Sequence, residues 1–253
     1  MQQPEVLDVT SPNSTNVYYH NVCPKCGAEE TTIVPEELTD MLTGGETRNY
    51  CDNCRAEVER QEAIEREKRR RADLLEKADI PLNFQIWDKA LGNNKLARTI
   101  HENSGKCMFV CGENSTCKTR AAAINIKLEI EQNGKRCRFI RWSDLAAGYA
   151  KVCKMSSENS KAYINGFLRY DVLLIDDIDK RRITETAGEM LYDMIDLVYS
   201  GSSRTVLWFT ANKTIADLAN VFENLDIGDA VVSRLDRMIE SNKMLNIEVG
   251  EQR

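Results

Sequence analysis

No apolar run in the 253-residue chain approaches the roughly 20 that a membrane helix needs. Residues 1–16 are polar and do not follow the basic-then-apolar order of an export signal, so the expected compartment is the cytosol. Positive charge is not in excess. Against 34 Lys and Arg stand 40 Asp and Glu, a net charge of −6, which excludes attachment to nucleic acid by bulk charge alone but leaves room for a local basic patch. No internal repeat or low-complexity tract interrupts the chain. The nine cysteines do not form a disulfide framework either. Four make two Cys-x-x-Cys pairs and five scatter, which reads as reduced thiols plus a metal site. What remains is 42% hydrophobic and 29% charged, enough for one or two cored domains.

Cys23-Pro24-Lys25-Cys26-Gly27 and Cys51-Asp52-Asn53-Cys54 are two knuckles. Four thiolates in this arrangement suit tetrahedral Zn²⁺, and a closed Cys₄ set predicts a structural metal. Residues 1–54 carry too few apolar residues for a core of their own, so zinc would supply the stability, of order 10 kcal/mol. His20 is a weaker candidate ligand, because four cysteines already complete the shell.

Residues 55–78 are nearly all charge and helix formers without Gly or Pro, and predict a linker helix. Glu62–Arg66, Glu65–Arg69 and Glu67–Arg71 fall at i, i+4 with the acid first. The run Lys68-Arg69-Arg70-Arg71 reads as a solvated face or a phosphate contact. Pro81 ends the helix. Beyond it, short apolar runs at 107–111, 138–142, 172–175, 205–210 and 244–249 predict strands. Helical stretches at 118–132, 143–155, 158–168, 184–200, 214–222 and 227–240 alternate with them, and Ser143 is the expected N-cap of the second. This alternation predicts an α/β fold with a mostly parallel sheet covered on both faces.

The first of these strands runs into Gly112-Glu113-Asn114-Ser115-Thr116-Cys117-Lys118-Thr119 and then a helix. That is nearly G-x-x-x-x-G-K-[ST] in its strand–loop–helix setting. Backbone N–H groups would cradle phosphates, Lys118 would neutralise the β- and γ-phosphates, and Thr119 would hold Mg²⁺. Cys117 stands at the second glycine position, where a Cβ crowds a tight turn at roughly 1–3 kcal/mol if the backbone is strained. Downstream, Val172-Leu173-Leu174-Ile175 ends in Asp176-Asp177. Asp176 would ligate Mg²⁺ and Asp177 would orient the attacking water. Asn212, at the tip of the next strand, would hold the water or the γ-phosphate; the alternative is an ordinary strand-ending turn. Arg234 lies on a late helix, either solvated or serving as an arginine finger for a neighbour's nucleotide.

Over about residues 79–253 the chain resembles the AAA+ ATPases, and within them the DnaC-type replicative helicase loaders. The segments that carry this are ADIPLNFQIWD, GENSTCKT, YDVLLIDDIDK, ITETAGEMLYDMIDLVYSG, TVLWFTAN and VVSRLDRM. The resemblance implies an AAA+ P-loop ATPase domain with a five-stranded parallel sheet of order 5-1-4-3-2, preceded by the zinc ribbon (1–54) and the linker helix (55–78). It makes Lys118 and Thr119 Walker A, Asp176 and Asp177 Walker B, Asn212 sensor I and Arg234 the finger. It also implies self-association through ATP sites and slow or helper-dependent hydrolysis. The expected client is a hexameric replicative helicase, gripped by the amino-terminal domain and placed on single-stranded DNA. Departures are Cys117 and Ser115 at glycine positions, Asp177 where loaders have Glu, and Val198 where they often have Arg before Tyr199. Arg253 matches the family's closing arginine only loosely.

For single-stranded DNA the expected surface is 143–170, where Lys151, Lys154, Lys161 and Arg169 interleave with Tyr149, Tyr163 and Phe167; core packing of the aromatics is the alternative. Two other functions remain open: an IstB-like transposition-helper ATPase on duplex DNA, and a nucleotide-gated adaptor with little hydrolysis. A DnaA-like initiator is not expected, since the chain stops at Arg253.

Overall fold

The computed structural model describes residues 16–35, 50–86 and 94–250. The chain divides into two compact units, Met1–Arg69 and Arg70–Arg253. Among the described residues no helix is long and apolar enough to cross a membrane.

In the first unit, β1 (Asn16–Val22) and β2 (Glu29–Pro35) form an antiparallel hairpin, paired from Asn16↔Pro35 to Val22↔Glu29. Helix α1 (Asp52–Lys77) starts directly after Cys51, with Asp52 in its first turn where the helix dipole favours an acid. None of its residues is fully buried, as its thin apolar stripe predicts.

The second unit begins inside α1. Leu74 and Leu75 pack against the core, Ala78 and Ile80 are buried, and the Phe139 N–H donates to Ala78 O at 2.8 Å. Residues 70–78, expected as linker, therefore belong to this unit, because their apolar side chains have a sheet to cover. Half of the basic run also meets protein. Arg70 donates to Gly134 O at 3.0 Å and Arg71 to Glu131 O, covering carbonyls at the end of the helix that begins at Lys118.

After a 3₁₀ turn (Leu82–Phe84) come α2 (Asn94–Glu102), β3 (Cys107–Gly112), α3 (Lys118–Asn133), β4 (Cys137–Arg141), α4 (Trp142–Cys153) and α5 (Ser157–Phe167). They are followed by β5 (Val172–Asp176), α6 (Glu185–Tyr199), β6 (Val206–Ala211), α7 (Ile215–Leu218), α8 (Leu225–Glu240) and β7 (Met244–Val249). The five strands are parallel in the order β4-β5-β6-β3-β7. Counted from β3 this is 2-3-4-1-5, the expected order read from the other edge. The central strands are buried on both faces, and their alternation sorts them. Phe109, Leu173, Ile175 and Phe209 pack toward α4, α6 and α8, while Met108, Val110, Leu174 and Trp208 pack toward α2 and α3.

Two local expectations change. Ser143 is not an N-cap: Arg141 is extended and α4 already starts at Trp142, whose buried ring belongs to its first turn. The expected helix 214–222 is one α-turn followed by a 3₁₀ turn, Ala219–Val221. Helix α2, unpredicted, is held by Leu96 and Ile100 four residues apart.

Candidate active site and cysteine cluster

Parallel strands deliver their carboxyl ends to one edge, so Gly112, Asp176 and Ala211 finish side by side. Gly112 leaves β3 at φ 147, and a Cβ there would lie 2.2 Å from Val249 O at the end of β7, so the exit requires glycine. The loop then turns back through two left-handed residues, Ser115 (φ 68) and Cys117 (φ 60). Cys117 is the N-cap of α3 at ψ 24, the backbone a glycine adopts freely. Its Cβ there costs roughly 1–2 kcal/mol.

Lys118 is buried and curls into the loop. Its Nζ donates to Gly112 O (2.8 Å), Glu113 O (2.7 Å), Thr116 Oγ1 (3.1 Å) and Asn212 Oδ1 (3.4 Å). Burial lowers its pKa, against the opposing pull of Asp177, Asp179 and Asp176. The next residue, Thr119, donates from Oγ1 to Asp176 Oδ1 at 2.6 Å, and Thr210 Oγ1 donates to the same oxygen at 2.6 Å. Burial pushes the Asp176 carboxyl up, and these two hydroxyls oppose it. Thr119 and Asp176 thus present adjacent hard oxygens on the wall of a cavity of ≈ 470 Å³, a donor set that fits Mg²⁺. Asp177 follows at φ 56; its N–H donates to Thr210 Oγ1 (3.0 Å), and its carboxylate meets Lys180 at 2.8 Å.

Lys118, Thr119, Asp176, Asp177 and Asn212 are therefore brought together. Arg234 stands elsewhere in its own chain. Its side chain is 17% exposed, and its guanidinium pairs with Asp196 at 2.7 Å, donates to Tyr192 Oη at 3.0 Å and lies 4.8 Å from the Tyr199 ring centre. It is folded onto α6 rather than held out to solvent. Arg253 lies outside the described residues. Three neighbours of the site escaped sequence reasoning. Thr210 read only as the end of a strand, and Asp179 and Lys180 only as trailing charge; strand register alone sets Thr210 beside Asp176.

The aromatic part of the expected DNA surface is buried at Tyr149 and half-buried at Tyr163 and Phe167. Tyr149 is 8% exposed, Tyr163 and Phe167 pack edge to face at 5.1 Å, and Tyr163 Oη donates to Leu145 O at 3.0 Å. These rings pack in or against the core, while Lys151, Lys154, Lys161 and Arg169 stay exposed.

In the first unit, the sulfurs of Cys23, Cys26, Cys51 and Cys54 all lie within 4.8 Å of one another. Tetrahedral Zn–S bonds of about 2.3 Å put sulfurs about 3.8 Å apart, so the cluster fits Zn²⁺. Gly27, at φ 73, closes the first knuckle by donating to Cys23 O at 2.8 Å. Cys23 is drawn down to about 6, backbone N–H groups of Cys51, Cys26 and Lys25 outweighing burial. Cys54 is pushed up to about 12 because the neighbouring Cys26 and Cys51 sulfurs favour its protonated form. In contrast, burial lifts Cys111 to about 11 and Cys137 to about 12, as expected of inert core thiols.

The family model for IstB-like ATP-binding proteins matches residues 46–253. The chain belongs to that family. It is thereby an ATP-binding protein, and the resemblance read from its motifs holds at the level of family and fold. A candidate primosome component from Streptococcus pyogenes serotype M3 has a similar structure, with TM-score 0.50, 15% identity, and coverage of 72% of this chain and 98% of that one. The DnaC helicase loader follows at TM-score 0.46 and 24% identity, covering 60% and 85%. The replication initiator DnaA bound to AMPPCP and single-stranded DNA gives TM-score 0.48 and 17% identity, covering 68% of this chain and 51% of that one. This IstB-like protein thus spans about half the length of that initiator. No curated protein matches it.

Proposed function

We propose that this family member is an ATP-switched loader that remodels a ring-shaped replicative helicase and delivers it to single-stranded DNA. The observation that carries the ATP-dependent part is the convergence of Lys118, Thr119, Asp176 and Asn212 on one sheet edge. The loader part is supported by the motif resemblance over 79–253.

In this reading Lys118 neutralises the β- and γ-phosphates, Thr119 and Asp176 hold Mg²⁺, Asp177 orients water and Asn212 faces the γ-phosphate. Arg234 serves a neighbouring copy's nucleotide, which requires it to leave Asp196 and Tyr192. Self-association then follows nucleotide state. The four-cysteine cluster holds structural Zn²⁺ and shapes the part that grips the helicase. The setting is the cytosol, without membrane attachment.

The test is native mass spectrometry with the replicative helicase of the same genome, with and without Mg-ATP. A defined loader–helicase complex is expected; no complex under either condition overturns the loader reading. A second reading is favoured by the family match itself: a transposition helper. ATP-dependent filaments on duplex DNA in the absence of any helicase would select it. Tight nucleotide binding without turnover would select an adaptor, a reading that the left-handed Cys117 favours.

A further inference from the structure

Asp179 lies three residues beyond Asp176, in the loop that leaves β5. It is 8% exposed, unusual for an aspartate. A buried carboxylate needs donors, and it finds them on the next strand tip. Asp179 Oδ1 and Oδ2 accept from the Asn212 N–H at 3.0 and 2.9 Å, and Oδ2 also accepts from the Lys213 N–H at 2.6 Å. Two consecutive backbone donors thus converge on one anionic group.

These bonds are the last rungs of a series that joins the β5 loop to the end of β6. Thr210 Oγ1 donates to Asp176 Oδ1, the Asp177 N–H donates to Thr210 Oγ1, and the Ile178 N–H donates to Thr210 O at 3.0 Å. Beyond Ala211 the strand pairing stops, so the backbone of Asn212 has no ladder to hold it. Its side chain nevertheless reaches Lys118, with Oδ1 3.4 Å from Nζ. A side chain at the end of a strand is only as well aimed as its backbone, and here the backbone is fixed by Asp179.

We infer that Asp179 is a positioning residue that aims the Asn212 amide at the γ-phosphate through the Asn212 and Lys213 N–H groups. This rests on the ATPase reading above. A carboxylate suits the task because both of its oxygens accept. An asparagine of the same shape would turn an NH₂ toward one of two N–H donors. Both Asp179 oxygens are taken up by these N–H groups; its charge also favours the Lys118 cation, and the cycle with Asn212→Ala separates the two routes.

The experiment compares wild type, Asp179→Asn, Asn212→Ala and the double variant in the full chain. It measures affinities for ATP and ADP, ATP turnover, and hydrogen exchange at the Asn212 and Lys213 amides without nucleotide. Expected is about a tenfold loss of preference for ATP over ADP in each single variant, with no further loss in the double variant. Turnover falls in parallel, and exchange at the two amides rises about tenfold in Asp179→Asn. Thermal melting and circular dichroism confirm folding; should Asp179→Asn not fold, Asp179→Ser enters the same cycle. Additive losses, an unchanged ATP preference in Asp179→Asn, or unchanged exchange each overturn the inference. Wild type that binds ATP without turnover removes hydrolysis from the function but leaves the affinity cycle decisive. Wild type that binds no nucleotide overturns the ATPase reading, and this role with it.

Discussion

Lys180 Nζ stands 2.8 Å from Asp177 Oδ2, so the carboxylate proposed to orient water is held by a cation three residues along its own loop. The lysine side chain is 71% exposed and the aspartate 30%, which keeps the pair weak, at most about 1 kcal/mol. Lys180→Ala is therefore expected to raise ATP turnover by no more than about fivefold with ATP affinity little changed. Wild-type turnover should rise with ionic strength while the variant's stays flat. Lower turnover in the variant would show instead that Lys180 assists the reaction.

Cys117 carries a side chain in a left-handed N-cap. Cys117→Gly removes a steric cost of roughly 1–2 kcal/mol and adds unfolded-state entropy of about 0.5–1 kcal/mol. The net expectation is a small gain in melting temperature and tighter ATP binding. Cys117→Val, β-branched in the same backbone, should lose both. Calorimetry with and without Mg-ATP reads the two effects.

Asp176 separates stability from function. Its folded pKa is raised by burial, so the protein at neutral pH holds a charge that the fold disfavours. Asp176→Asn keeps an oxygen for Thr119 and Thr210 but removes that charge. The variant should melt about 2–4 °C higher while ATP turnover is lost. A lower melting temperature would mean that the carboxylate's hydrogen bonds outweigh its burial.

Acid sensitivity has the opposite sign at Glu129. Its carboxylate is 1% exposed; burial raises its pKa, but Lys135 at 2.5 Å, Ser104 and Asn133 overcome this and hold it below its usual 4.5. A depressed carboxyl pKa gives stability that is fully present above the unfolded value and lost as pH falls through the folded one. Melting temperature should therefore drop as pH falls below about 4.5, and Glu129→Gln should flatten this slope while destabilising the protein at pH 7.

One zinc per chain is expected by elemental analysis, bound by Cys23, Cys26, Cys51 and Cys54. Chelation or Cys54→Ser should abolish the hairpin's amide protection and leave the melting of residues 70–253 in place. Retained protection without metal would show that the thiols need no ion.

The strand–helix alternation, the P-loop, the paired acids and the cysteine knuckles are all legible in the order of amino acids. Each is local: an apolar run, a turn residue or a short spacing that physical chemistry reads within a few positions. That order also located Asn212 at a strand tip, because TVLWFT is too apolar to lie at the surface. What those residues touch depends instead on how the elements pack. Parallel pairing of β5 with β6 puts Thr210 on Asp176, and the turn after Asp177 carries Asp179 back to the Asn212 backbone. Packing took Tyr149 into the core, laid Tyr163 and Phe167 against it, and folded Arg234 onto Asp196 and two tyrosines. A charge or ring has the same composition whether it faces water or a neighbouring helix; only the packing of α4 with α5 and of α6 with α8 separates the two.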